Sequence, residues 1–170
     1  MSKELWDLYD SKGNKINKVV YRGDKLNDDE FHIVVNAWVK NKDNKFLITQ
    51  RAATKSFPLT WECTGGSGLS GETPLDSAIR EVKEELGITV YKKDAKLIGK
   101  TLRYYDGCPD ILYVYSFETN KTDIKIQEEE VNDYMWASKE DILDLYREKK
   151  FSANAFFVDA IYKWDIYEKK

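Results

Sequence analysis

At 170 residues the chain has the length of one domain and enough sequence to bury a substantial core. Apolar residues make up 42% and charged residues 34% of it, and a net charge of −3 gives no overall attraction to nucleic acid polymers or to an anionic membrane. Two cysteines, Cys63 and Cys108, without C-x-x-C spacing argue against a disulfide framework. With no basic-then-apolar leader and no run long enough to span a bilayer, a cytoplasmic protein is expected.

In chain order, Leu5–Tyr9 and Ile16–Tyr21 flank a Gly/Asn turn and read as a short β-hairpin. Arg22–Glu30 is polar and reads as a connecting loop, so residues 1–29 form a hairpin extension ahead of the main sheet. Phe31–Lys40 and Phe46–Gln50 are strand candidates around a turn at Asn41–Asn44. Lys55–Leu59 is a loop, and Trp61–Thr64 leads into a Gly-rich segment. Thr73-Pro74 opens a helix, with Thr at the cap and Pro at the first helical position. The helix is expected to run to about Leu86 and stop at Gly87. Lys96–Tyr104, Ile111–Glu118 and Val131–Ala137 are further strands. Ser138-Lys139-Glu140-Asp141 resembles a capping box opening a helix over Asp141–Arg147. Ala153–Tyr167 reads as a final amphipathic helix, with Phe156, Phe157, Ala160, Ile161 and Trp164 on one side. Strands with interspersed helices predict an α/β domain, a mixed sheet flanked by helices, and no internal boundary divides residues 1–170.

The chemistry concentrates in residues 66–88. Gly66, Glu72, Arg80, Glu81, Glu84, Glu85 and Gly87 stand in the order G-x5-E-x7-R-E-U-x-E-E-x-G-U, with Val82 and Ile88 at the apolar positions. With Glu81 taken as the zero of the helical wheel, Glu84 lies near 300° and Glu85 near 40°, about 100° per residue. The three carboxylates therefore share one face, while Leu75, Ala78, Ile79, Val82 and Leu86 fall at roughly 60–160°. Like charges at i, i+3 and i+4 weaken a helix, and a hard divalent cation offsets that repulsion. Mg²⁺ prefers oxygen ligands and few protein carboxylates, which suits this stripe. Glycines at 65, 66 and 68 let the backbone approach a metal or phosphate closely.

This constellation resembles the Nudix box, the signature of hydrolases that cleave a nucleoside diphosphate linked to another group. The run Phe57-Pro58-Leu59-Thr60-Trp61-Glu62 resembles the segment that precedes the box in that family, extending the likeness to roughly residues 30–137. The hairpin is similar to that of an isomerase-like subset of these hydrolases. The resemblance implies an α/β/α sandwich, Mg²⁺ or Mn²⁺ as cofactor, a small-molecule diphosphate substrate and a homodimer. It also implies that Glu84 and Glu85 are metal ligands, that Glu81 is a ligand or the base, and that Glu72 and Arg80 pair to orient the loop on the helix. An extra acidic ligand is expected from Glu128, Glu129 and Glu130, with Glu130 the first choice or else part of a solvated acidic turn.

Outside the box, Arg51 offers a phosphate contact or a surface ion pair. Arg103, Tyr104 and Tyr105 offer base stacking or phosphate binding, against ordinary packing. Asp110 is a site acid or a turn residue. The segment around His32 also resembles a strand of isopentenyl-diphosphate isomerases, which carry a metal-binding histidine there. That reading lacks the further histidines such enzymes use, and Cys63 lies two residues before the position of their catalytic cysteine. A third reading is a Nudix domain that senses a nucleotide without hydrolysing it. The identity of the diphosphate is left open, because variable loops and not the box choose the rest of the substrate.

Overall fold

A computed structural model describes residues 3–152 of the chain. In chain order it contains β1 (Leu5–Tyr9), β2 (Lys15–Tyr21), β3 (His32–Lys40), β4 (Phe46–Arg51), β5 (Trp61–Glu62), β6 (Thr64–Ser67), α1 (Pro74–Leu86), β7 (Ala95–Arg103), β8 (Asp110–Glu118), β9 (Val131–Ala137) and α2 (Lys139–Arg147). β1 and β2 form the antiparallel N-terminal hairpin, with Leu5 opposite Tyr21. Its turn is held by the Asp10 carboxylate, which accepts from the backbone N–H groups of Lys12 and Asn14 at 2.9 Å each, and Gly13 takes φ 86° there.

β3 is the spine of the mixed sheet. It runs parallel to β8 along its whole length, from His32 opposite Asp110 to Lys40 opposite Glu118, and antiparallel to β4 and β6. β7 borders β8, while β9 and β5 pair with β4. Alternation along β3 and β8 sorts side chains to two faces. Ile33, Val35, Ala37, Ile111 and Phe117 pack with Ala78, Val82 and Leu86 of α1. Trp38, Leu112 and Val114 pack on the other face with Ile142 of α2 and with Phe151. The mixed sheet thus lies between two helices as an α/β/α sandwich, with the N-terminal hairpin beside it.

The helix boundaries have local causes. Thr73 caps α1: its hydroxyl accepts from Asp76 N at 3.2 Å while the Asp76 carboxylate accepts from Thr73 N–H and O–H. Gly87 ends the helix at φ 68°, its N–H donating to Lys83 O. A side chain at Gly87 would also meet the Lys125 backbone at 2.8 Å. Ser138 caps α2, so that helix begins at Lys139, two residues before the expected start. The passage from Trp61 into the Gly-rich segment holds two short strands, β5 and β6, that were not expected there. Glycine disfavours strands in general. Here its bareness permits one, since a Cβ on Gly65 would stand 2.3 Å from Val35 O of β3. The final helix expected over 153–167 lies outside the described residues. Among the described residues no helix is long and apolar enough to cross a membrane.

Candidate active site

The acidic stripe of α1 borders a cleft of about 440 Å³. Among the described residues six carboxylates line it, Glu4, Glu62, Glu81, Glu84, Glu85 and Glu130, against four cationic side chains, Arg22, Arg51, Lys55 and Arg80. With all of them ionised the lining carries two net negative charges. Such a surface repels a polyphosphate by itself and attracts a divalent cation.

Arg80 organises the acids. Its Nε–H donates to Glu72 Oε1 at 2.8 Å, and its Nη2 donates to Glu72 Oε2 at 3.1 Å and to Ser67 O at 2.9 Å. Nη1 donates to Glu81 Oε1 at 2.8 Å and Glu84 Oε2 at 3.0 Å. Burial alone would lower the arginine's pKa, but Glu72 and Glu81 more than offset it, so the guanidinium stays charged. Glu72 also accepts from Leu69 N and from the Ser77 hydroxyl. Burial pushes its carboxyl up, yet these bonds win and hold it below the ordinary carboxylate range. The pair thus ties the Gly-rich loop to α1 behind the cleft.

Glu81 and Glu85 are perturbed in the opposite sense. Burial raises the Glu81 carboxyl, the neighbouring Arg80 opposes this, and the charges of Glu84 and Glu4 add to the rise. Glu85 is raised furthest, first by burial and then by Glu81, Glu62 and Glu130, so that its charged neighbours are acidic. Gly66 of β6 lies directly against this stripe: a Cβ there would stand 2.3 Å from Glu81 Oε1. The glycine is the cradle in which the Glu81 carboxylate rests.

The donor set suits Mg²⁺ or Mn²⁺, being hard oxygens with excess negative charge. Among the described residues, however, no three acidic, histidine or cysteine side chains already close around one point. The expected ligand set of Glu81, Glu84, Glu85 and Glu130 shares a cleft without forming a finished cage. The reason is electrostatic: Glu81 and Glu84 turn to Arg80, and Glu130 pairs with Lys55. Arg51 also lines the cleft, donating to Glu62 Oε1 at 2.7 Å and to Ser56 O at 2.7 Å.

Other expected residues lie elsewhere. Arg103 is buried in a two-pronged pair with Asp110, Nε to Oδ1 at 2.6 Å and Nη2 to Oδ2 at 2.8 Å, and does not line the cleft. The pair joins β7 to β8 where the two residues stand opposite each other. Tyr104 packs edge-on against Phe31, and Tyr105 lies under the Arg103 guanidinium. His32 stacks flat on Trp6, ring centroids 4.0 Å apart. Cys63 is buried among apolar side chains, and burial pushes its thiol up. Conversely, Glu4 and Arg22 reach the cleft from the N-terminal hairpin and pair with each other at 2.8 Å. No sequence signal marked them, because Glu4, just before β1, and Arg22, just after β2, meet the box only through the docking of the hairpin.

The family model described as NUDIX domain matches residues 30–157. A Nudix hydrolase of Listeria innocua, lin0387, is 31% identical over 94% of this chain and 94% of its own length. An isopentenyl-diphosphate Delta-isomerase of Cutibacterium acnes is 24% identical, covering 82% of this chain and 76% of that protein. The crystal structure of DR0079 from Deinococcus radiodurans superposes with a TM-score of 0.75 at 21% identity, covering 94% of this chain and 100% of that one.

Proposed function

The chain belongs to the Nudix hydrolase family, and from that premise we propose that it is a metal-dependent hydrolase that uses water to cleave a pyrophosphate linkage in a nucleoside diphosphate derivative or a related organic diphosphate. The observation that carries this reading is the cleft itself, where the acidic face of α1 sits against the bare backbone of Gly66. Glu84 and Glu85 would hold Mg²⁺ or Mn²⁺, with Glu130, which lines the same cleft, as a further oxygen donor. When bound, the cation supplies charge neutralisation for the leaving phosphate and lowers the pKa of a water.

The protein's own groups do the remaining work. Glu81 accepts the proton of the attacking water, its Oε1 held by Arg80 Nη1 at 2.8 Å. The water oxygen bonds to phosphorus as the bridging P–O bond breaks, the electron pair leaving on the departing phosphate. Arg80, anchored by Glu72, fixes Glu81 and Glu84 and offsets part of their repulsion. Arg51 and Lys55 line the same cleft and compensate substrate charge once they exchange Glu62 and Glu130 for phosphate oxygens. Phosphoryl transfer rests mainly on such positioning and electrostatics.

The isomerase reading finds less support. Its histidine position is taken by His32, stacked on Trp6 outside the cleft lining, and Cys63 lies in the core on the α2 face. A pure sensor has no use for a base and a metal cluster together. Phosphate and pyrophosphate release from a panel of nucleoside diphosphate derivatives, with Mg²⁺, Mn²⁺ or EDTA, tests the proposal. Metal-dependent release from one compound class supports it. Interconversion of isopentenyl diphosphate isomers without release would move the chain to the isomerase class.

A further inference from the structure

Asp7 stands in the middle of β1 between Trp6 and Leu8, and all three side chains are buried; Asp7 is 4% exposed. A carboxylate taken so far out of water is costly unless its oxygens are satisfied. Asp7 Oδ2 accepts from Lys15 Nζ at 2.6 Å within the hairpin. Its other bonds leave the hairpin: Oδ1 accepts from the Ser70 hydroxyl at 2.9 Å, and Oδ2 accepts from Gly71 N at 2.8 Å. The neighbouring carbonyl, Leu5 O, accepts from Ser70 N at 2.7 Å. β1 therefore takes up the backbone N–H groups of two consecutive residues in the loop that ends at Glu72. One of them, Gly71, sits at φ 88°, a conformation that side-chain-bearing residues avoid.

Asp7 and Glu72 line the same small gap between hairpin and loop. From there the bonds run without interruption into the acidic stripe. Gly71 is followed by Glu72, Glu72 takes two bonds from Arg80, and Arg80 donates to Glu81 and Glu84. We propose that Asp7 is a positioning residue of the hydrolytic site: by holding Ser70 and Gly71 it sets the height of Glu72, and through Arg80 the aim of Glu81 and Glu84. The N-terminal hairpin is thereby a working part of the site rather than an appendage. This role rests on the reading of the α1 glutamates as metal-binding and catalytic. Such sites tolerate displacements of only about half an ångström in their supporting residues.

Mn²⁺ affinity of the full chain, measured by titration calorimetry on the wild type and three variants, tests the role without relying on turnover. Asp7→Ala deletes both loop bonds, and the resulting shift of Glu72 and Arg80 is expected to weaken Mn²⁺ binding about tenfold. Trp6 stacked on His32 and the Tyr9–Phe31 backbone pair still dock the hairpin. Asp7→Asn keeps an acceptor for Gly71 N and a donor for the Ser70 oxygen, and Lys15→Met removes the ion pair alone; both should bind Mn²⁺ nearly as the wild type does. Kinetically, Asp7→Ala should lower kcat with KM little changed. Wild-type Mn²⁺ affinity in Asp7→Ala would overturn the proposal, as would equal losses in all three variants, which would mark an ion pair that merely tethers the hairpin. If Asp7→Ala fails to fold, Ser70→Ala carries the test: reduced affinity upholds the role and unchanged affinity overturns it. A wild type that binds no Mn²⁺ would instead strike the metal-site reading on which the role depends.

Discussion

Gly66→Ala isolates the seat of Glu81 from the stability of the fold. The added methyl would stand 2.3 Å from Glu81 Oε1, 2.5 Å from Cδ and 2.9 Å from Oε2. Contact carbons and oxygens sit roughly 3.5 Å apart, so the carboxylate must retreat by about 1 Å. The obstacle is the far end of a flexible side chain rather than backbone, and Gly66 does not require a positive φ. The stability cost is therefore that of a displaced rotamer, about 1 kcal/mol. The rate cost is larger, because an error of about 1 Å in a catalytic group can cost about a hundredfold. The same substitution at Gly65 drives the methyl into Val35 O at 2.3 Å, where β3 cannot yield, and should damage folding instead. The assay pairs thermal unfolding with the metal-saturated rate. Gly66→Ala should unfold within a few degrees of the wild type and turn over far more slowly. Wild-type turnover in a folded Gly66→Ala protein would refute the placement of the base.

Two further outcomes follow from the core. His32 is 4% exposed, and burial, with the charges of Arg103 and Arg22 adding, lowers its pKa from 6.5 to about 4. The unfolded chain then binds the proton more readily, so this histidine's contribution to stability is intact above about pH 6.5 and is lost as pH falls toward 4, amounting to roughly 3 kcal/mol in total. His32→Phe retains the stack on Trp6, and its unfolding free energy followed from pH 7 to 4 should lack that portion of the acid sensitivity; an identical slope would refute the assignment. Ile142, fully buried beneath α2 on the face away from the stripe, should cost about 3 kcal/mol in chemical denaturation as Ile142→Ala, with kcat unchanged in the folded protein.

The legible part of this protein was whatever its sequence settles locally. Thr73, Pro74 and Gly87 marked the start and the approximate end of α1, because caps act within one turn. Phe31–Lys40 reads as a strand because it is a short, mostly apolar run ended by a turn, and in the fold both of its faces are covered. The helical spacing of Glu81, Glu84 and Glu85 placed them on one face before any tertiary contact was known. Less legible was everything made by contacts distant in sequence. Arg103 reads in sequence as a base-stacking or phosphate-binding residue or as ordinary packing, and its partner Asp110, opposite it on the next strand, takes both prongs of the guanidinium. Nothing local marks Asp7, since only the docking of the hairpin brings it to Ser70 and Gly71. The β6 strand was hidden because its Thr-Gly-Gly-Ser run has poor strand propensity, and its fit depends on the closeness of β3.

The most direct measurement compares metal-dependent phosphate release by the wild type with that of Glu85→Gln, alongside their unfolding temperatures. Glu85 is a carboxyl pushed well above its ordinary range by burial and by acidic neighbours, so a neutral amide should leave the fold at least as stable. If the acidic stripe exists to hold a cation for hydrolysis, Glu85→Gln should be folded, equally or more stable, and inactive with Mg²⁺ and with Mn²⁺. A folded Glu85→Gln protein that releases phosphate at the wild-type rate, or a wild type equally active in EDTA, would contradict it.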